Sequence, residues 1–147
     1  MNKYTFEFED LLKIKVQKED NIKNQLSKEN KLLKNKKIEL SKLMDLKNQE
    51  LKNFSNKGNF LKISDIEIFY DYIYSLEEKI KSKKSNIKLL EIKIEKIREK
   101  LVEISKEKQI FEKIKENEYV EYKKELVQEE LKTNDEIVNY KYFANNS

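Results

Sequence analysis

Residues 66–111, IEIFYDYIYSLEEKIKSKKSNIKLLEIKIEKIREKLVEISKEKQIF, carry apolar side chains every seven positions in two interlocking series. Ile66, Ile73, Ile80, Ile87, Ile94 and Leu101 form one row; Phe69, Leu76, Leu90, Ile97, Ile104 and Phe111 form the other, three residues on. A repeat of seven split three and four holds one narrow stripe of an α-helix against a partner helix, which is coiled-coil geometry. Upstream, Leu12, Leu26, Leu33, Leu40 and Phe54 fall on a second seven-residue lattice, with Val16, Met44 and Leu51 on its companion row. Folding the chain so that paired positions sum to 120 places Phe54 against Ile66, Leu51 against Phe69, Met44 against Leu76 and Val16 against Ile104. The expected fold is therefore all-α, a long two-helix antiparallel coiled-coil hairpin with the second helix overhanging. Dimers between chains are the alternative that such rows also support.

Local signals set the expected boundaries of one coiled-coil domain over residues 1–147. Thr5 can cap the first helix, with Glu7, Glu9 and Asp10 near its positive end, and the helix runs over about 5–54. Ser55-Asn56-Lys57-Gly58-Asn59 breaks it: Gly58 can take a left-handed conformation, and the flanking asparagines tolerate that region. The loop spans about 55–63. Ser64-Asp65-Ile66-Glu67 reads as a capping box, with Ile63 and Ile68 at the positions of a hydrophobic staple, so the second helix runs over about 64–143. At 1.5 Å per residue the helices are roughly 75 Å and 120 Å long. Thr5 then lies opposite about Lys115, and the last ~30 residues have no partner within the chain. The heptad phase also slips after Phe111, as a stutter does.

Lys23, Asn30, Lys37 and Lys47 sit at seam positions of the first helix and Lys83 at one of the second, with Lys37 facing Lys83. Their stems can pack while the amines reach water, at a cost in stability.

Composition excludes most other classes. Of 147 residues 41% are charged and 37% hydrophobic, with one glycine and no proline, too little apolar material for a globular core and enough for a helical seam. No apolar run approaches the ~18 residues that cross a bilayer, and Tyr4–Leu12 mixes aromatics with acids, so neither membrane insertion nor a signal peptide is expected. The expected location is the cytoplasm. The net charge of +4 arises from 32 basic and 28 acidic residues that alternate along the chain, and Arg98 is the sole arginine, which argues against nucleic acid as a partner. There is no histidine, no cysteine and no glycine-rich loop, and the carboxylates lie beside lysines on solvated helix faces. Neither catalysis nor a metal or other cofactor is expected.

The remaining resource is surface for other proteins. Leu43 and Leu46 of the first helix and Ile68 and Tyr72 of the second fall outside the expected seam on one flank near the turn, with Tyr70 and Tyr74 on the opposite flank. Ile68 and Tyr72 suit partner binding or a broadened seam equally. The overhanging end carries Tyr119, Tyr122, Leu126, Ile137, Tyr140, Tyr142 and Phe143, and the first turn adds Phe6, Phe8, Leu11 and Leu12. Self-association is the competing way to cover these residues.

The two ends of the chain also resemble a known family. Phe6-Glu7-Phe8-Glu9-Asp10-Leu11-Leu12-Lys13-Ile14-Lys15 with Glu19, and Glu130–Tyr142 with its Asp135-Glu136 pair and closing Lys141-Tyr142 step, are similar to the opening and closing stretches of the flagellar export protein FliJ family. Asn134 stands where that family usually has leucine and Lys141 where it has arginine. The resemblance implies a coiled-coil stalk of the type III secretion apparatus of the bacterial flagellum, which assembles the motility organelle. Its terminal end enters the hexameric flagellar export ATPase, and the implied docking residues are Phe6, Phe8, Leu11, Tyr119, Tyr122, Leu126, Ile137, Tyr140, Lys141 and Tyr142. Leu43, Leu46, Ile68 and Tyr72 are the implied contacts to the export-gate membrane protein or to export chaperones, which places the chain at the inner face of the cell membrane. An injectisome stalk or a self-associating scaffold are the alternatives; a prefoldin-like holdase needs a longer insertion than Ser55–Ile63.

Overall fold

The computed structural model describes residues 3–58 and 61–146. It is an all-α two-helix hairpin: α1 spans Glu9–Asn56 and α2 spans Ile63–Asn146. The chain divides into two compact units, one drawn from Met1–Asp20 and Val102–Ser147, the other being Asn21–Leu101. Both helices run through both units.

In the second unit α2 supplies the core. Ile73, Leu76, Ile80, Ile87, Leu90, Ile94 and Ile97 are buried, all on the two rows expected from the heptad pattern. From α1 the expected row Leu26, Leu33, Leu40 and Phe54 is half-buried. The companion row is not the expected one. Met44 and Leu51 are exposed, as is Val16 in the other unit, and Ile22, Glu29, Lys36, Leu43 and Glu50 take the inner positions instead. Apolar content alone favours the other row, and cross-helix charge pairs accompany the one found. Glu29 meets Lys93 Nζ at 3.1 Å, Glu39 meets Lys83 Nζ at 2.5 Å, and Lys47 Nζ meets Glu77 at 3.2 Å. Lys37 pairs with Glu91 at 3.5 Å rather than lying against Lys83. Each such pair contributes up to ~1 kcal/mol, so several together can decide between two weakly apolar faces. Glu29 Oε2 is buried without a hydrogen-bond partner among the described residues, so this face carries a cost.

The register moves with the face. Phe54 stacks on Phe69 with centroids 3.8 Å apart and planes 1° apart, where Ile66 was expected. Their numbers sum to 123, and the pairs Glu29–Lys93, Glu39–Lys83 and Lys47–Glu77 sum to 122, 122 and 124. Within the second unit the arms are thus offset by about two to four residues, up to one helical turn, from a sum of 120. In the first unit Leu12 and Ile104 are buried, and Phe8 packs on Phe111 with centroids 6.0 Å apart.

The helix ends differ from the expected caps. Thr5 does not cap α1, because residues 3–6 are non-helical and Glu9 N–H donates to Phe6 O at 3.1 Å before the first helical bond, Leu12 N–H to Phe8 O, at 2.9 Å. Glu9 and Asp10 still occupy the first turn, where the helix dipole favours them. At α2 the cap lies two residues earlier than Ser64: Lys62 O accepts from the amides of Asp65 and Ile66, and Asp65 Oδ2 accepts from Lys62 N–H at 3.3 Å. Asp65 takes the reaching-back role expected of Glu67, and Ile63 and Ile68 are too exposed to form a staple. Gly58 adopts φ 61°, as expected of the residue that ends α1, and a Cβ there meets nothing within 4 Å. Asn59, whose tolerance of the same region was also expected, lies outside the described residues.

Since backbone conformation and not space requires glycine, Gly58→Ala should lower stability by about 1 kcal/mol, with Gly58→Asn costing less, in urea denaturation. A cysteine pair at 54 and 69 should crosslink within one chain faster than a pair at 54 and 66.

Candidate functional site

The first unit gathers most of the aromatic side chains named for docking. Tyr4, Phe6 and Phe8 alternate along the segment before α1, in which residues 3–6 are non-helical and 7–8 form a turn. All three are withdrawn from solvent. Tyr4 lies against Tyr119 and Tyr122, with ring centroids 5.3 and 5.4 Å away, and its hydroxyl donates to Lys115 O at 3.3 Å. Phe6 is 7% exposed and packs edge-on to Phe8 at 5.8 Å. Lys115 ties the segment further, with Nζ 2.7 Å from Glu9 Oε2 and 6.0 Å from the Phe6 ring centre. The segment therefore straps itself onto α2. Burying an aromatic ring gains about 1.5–3 kcal/mol, more than one extra helical turn provides, which explains the late start of α1.

Below the strap a polar cluster replaces an apolar layer. Glu19, 4% exposed, accepts from Ser105 Oγ at 2.7 Å and from Lys108 Nζ at 2.9 Å. Lys15 Nζ meets Glu107 at 2.7 Å. The Glu19 hydrogen bond holds the Lys108 ammonium above its ordinary pKa of 10.5 against the opposing effect of burial. Burial raises the Tyr4 phenol above its ordinary 10.0, with Glu118 adding to the shift. In the other unit the Lys83 hydrogen bond lowers Glu39 below 4.5.

The docking residues separate into two sets. Phe6 is core and Phe8, Tyr122 and Leu126 are half-buried, so the strap covers part of what was expected to lie bare. Leu11 and Tyr119 keep 44% and 43% exposure, Lys123 Nζ sitting 4.9 Å from the Tyr119 ring centre. Beyond Leu126 every described side chain of α2 is exposed, including Ile137, Tyr140, Lys141 and Tyr142. The expected flank near Gly58 also divides. Ile68 and Tyr72 are exposed, at 68% and 41%, but Leu43 and Leu46 are half-buried, because the rotated α1 turns Leu43 into the seam. The exposed apolar residues that the heptad reading placed inside are Met44 and Leu51. Tyr4 was not singled out, although its two-residue spacing from Phe6 and Phe8 is the signal of a strap.

No helix among the described residues is long and apolar enough to cross a membrane. No group of three or more potential metal-ligating side chains occurs among them. The fold and its aromatic end define a helical-hairpin, coiled-coil protein. The flagellar FliJ protein family model matches residues 4–147, and the chain belongs to that family, whose members are coiled-coil stalk proteins related to flagellar export. No curated protein and no solved structure matches the chain.

Both raised groups bind their protons more tightly when folded, so their stabilisation is complete below pH 10 and is lost as pH rises through the folded values. Glu39, lowered, contributes above 4.5 and loses that contribution on acidification. Urea midpoints should therefore fall at both extremes of pH, with Tyr4→Phe and Glu19→Gln flattening the alkaline limb alone. At neutral pH Glu19→Ala should cost about 1–3 kcal/mol and Glu19→Met much less, since methionine fills the layer without stranding a carboxylate.

Proposed function

We propose that this chain is the non-enzymatic stalk of the flagellar export apparatus, inserting the C-terminal part of α2 into the hexameric export ATPase and promoting its assembly and hydrolysis. One observation carries the reading. The strap reaches α2 as far as Tyr122, and beyond Leu126 the side chains of Val127, Leu131, Ile137, Tyr140 and Tyr142 are 48–76% exposed among the described residues. A lone helix in water is marginal, so a partner that receives it gains both the apolar contact and the ordering. Leu11 and Tyr119, beside the strap, form the collar of this contact, and Lys141 supplies a cation near its end. Ile68 and Tyr72, near Gly58, serve the export-gate membrane protein or export chaperones, which puts the protein in the cytoplasm at the inner face of the cell membrane.

Adding the purified chain to the export ATPase should raise the hexamer fraction and the hydrolysis rate. A chain ending at Leu126 retains the strap and should stay folded by circular dichroism while losing that stimulation. Ile137→Asp with Tyr140→Asp should weaken ring binding by at least ~10-fold, the scale of losing an interfacial anchor. Unchanged assembly and hydrolysis on adding the full chain would overturn the stalk reading.

A further inference from the structure

The lysines are not evenly dealt along the helices. Stretches 31–42 and 79–92, brought side by side in the second unit, hold ten lysines and two glutamates, a net +8 against +4 for the whole chain. Ion pairs Lys37–Glu91 and Lys47–Glu77 identify one flank of this unit, and Lys83–Glu39 and Lys93–Glu29 the other. Heptad position then puts Lys34, Lys37, Lys81, Lys84 and Lys88 together on the first flank, all exposed. Only Lys37 of the five has a carboxylate within ion-pairing distance among the described residues.

The same flank changes character toward Gly58. The rotation of α1 that brings Leu43 inward turns Met44 and Leu51 outward, 39% and 38% exposed, on the side where Tyr70 meets Phe54 at 6.2 Å. Tyr70, Tyr74 and Ile63 on α2 join them at 60%, 64% and 77% exposure. One face therefore carries an aromatic and aliphatic patch that gives way to uncompensated cations. From Tyr70 to Lys88 it runs about 27 Å at 1.5 Å per residue, the length of an eighteen-residue helix.

We propose that this flank docks an acidic amphipathic helix of another protein, its apolar turns on Met44, Leu51, Tyr70 and Tyr74 and its carboxylates over Lys81, Lys84 and Lys88. Tyrosine and methionine are favoured in interface centres, and unpaired amines beside them attract a carboxylate-rich partner and fix its direction. A bilayer fits less well. Glu67, Glu77, Glu91 and Glu95 share the flank and would be pressed against anionic headgroups, whereas a polypeptide can place a neutral or cationic side chain opposite each. Nucleic acid is disfavoured by the same carboxylates and by the separation of the tyrosines from the lysines along the face.

The test is site-specific photocrosslinking of the full-length chain in its native cells, with benzoylphenylalanine at Tyr74 or at Lys84, and with Leu89 on the other flank as the control position. Tyr74 and Lys84 should capture the same protein through one segment with excess Asp and Glu, and Leu89 should not. The triple exchange Lys81→Glu, Lys84→Glu, Lys88→Glu, at three exposed positions, should keep the helical circular dichroism and cut the yield about ten-fold. Capture of a neutral or basic segment, an equal product from Leu89, a yield indifferent to the triple exchange, or no adduct would each overturn the proposal. Cosedimentation with vesicles of 30% phosphatidylglycerol, lost in the triple variant, would reassign the flank to lipid. The ATPase assay reads the other unit, so either result stands without the other.

Discussion

The double row of isoleucine and leucine on α2 is the constraint on which the rest of the molecule depends. It is a long, continuous apolar surface among the described residues, and covering it drives the fold. Seven of its side chains are buried in the second unit alone, whereas α1 answers with one apolar row and one row that is mostly charged. A seam so unequal cannot choose its register by side-chain size. Phe54 on Phe69 fixes it near the turn, and the carboxylate–ammonium pairs beyond fix it along the arms. Electrostatics here contributes little stability and more to register, because a shift by a turn would part most of these charges from their present partners.

How much of this was legible depends on which arm is read. The α2 rows were plain, since Ile66 through Phe111 repeats without ambiguity and burial follows it. The hairpin and its glycine were equally plain. The face of α1 was not: Val16, Met44 and Leu51 outnumber Ile22 and Leu43 as apolar residues, and only the opposite arm reveals that Glu29 and Lys15 have partners. Family membership was readable from the two chain ends together. The strap was lost for a different reason, because Tyr4, Phe6 and Phe8 follow a strand period in a chain whose other apolar residues follow a helical one.

Each misreading at the candidate surfaces traces to one of these causes. Leu43 moved inward with the corrected face of α1, and Met44 and Leu51 moved outward with it. Phe6 moved inward with the strap. Tyr119, Ile137, Tyr140 and Tyr142 stay exposed, whereas Tyr122 and Leu126 of the same helix are half-buried.

The thinness of the seam carries a thermal consequence. Even its most enclosed members, Leu76 and Ile94, keep 3% of their surface in contact with solvent, and every layer is flanked by lysine and glutamate stems. Melting such a structure exposes little new hydrocarbon per residue, so the heat capacity of unfolding is small and the curve of free energy against temperature is shallow. A protein of this build has no sharp optimum of stability with temperature, and cold weakens it little.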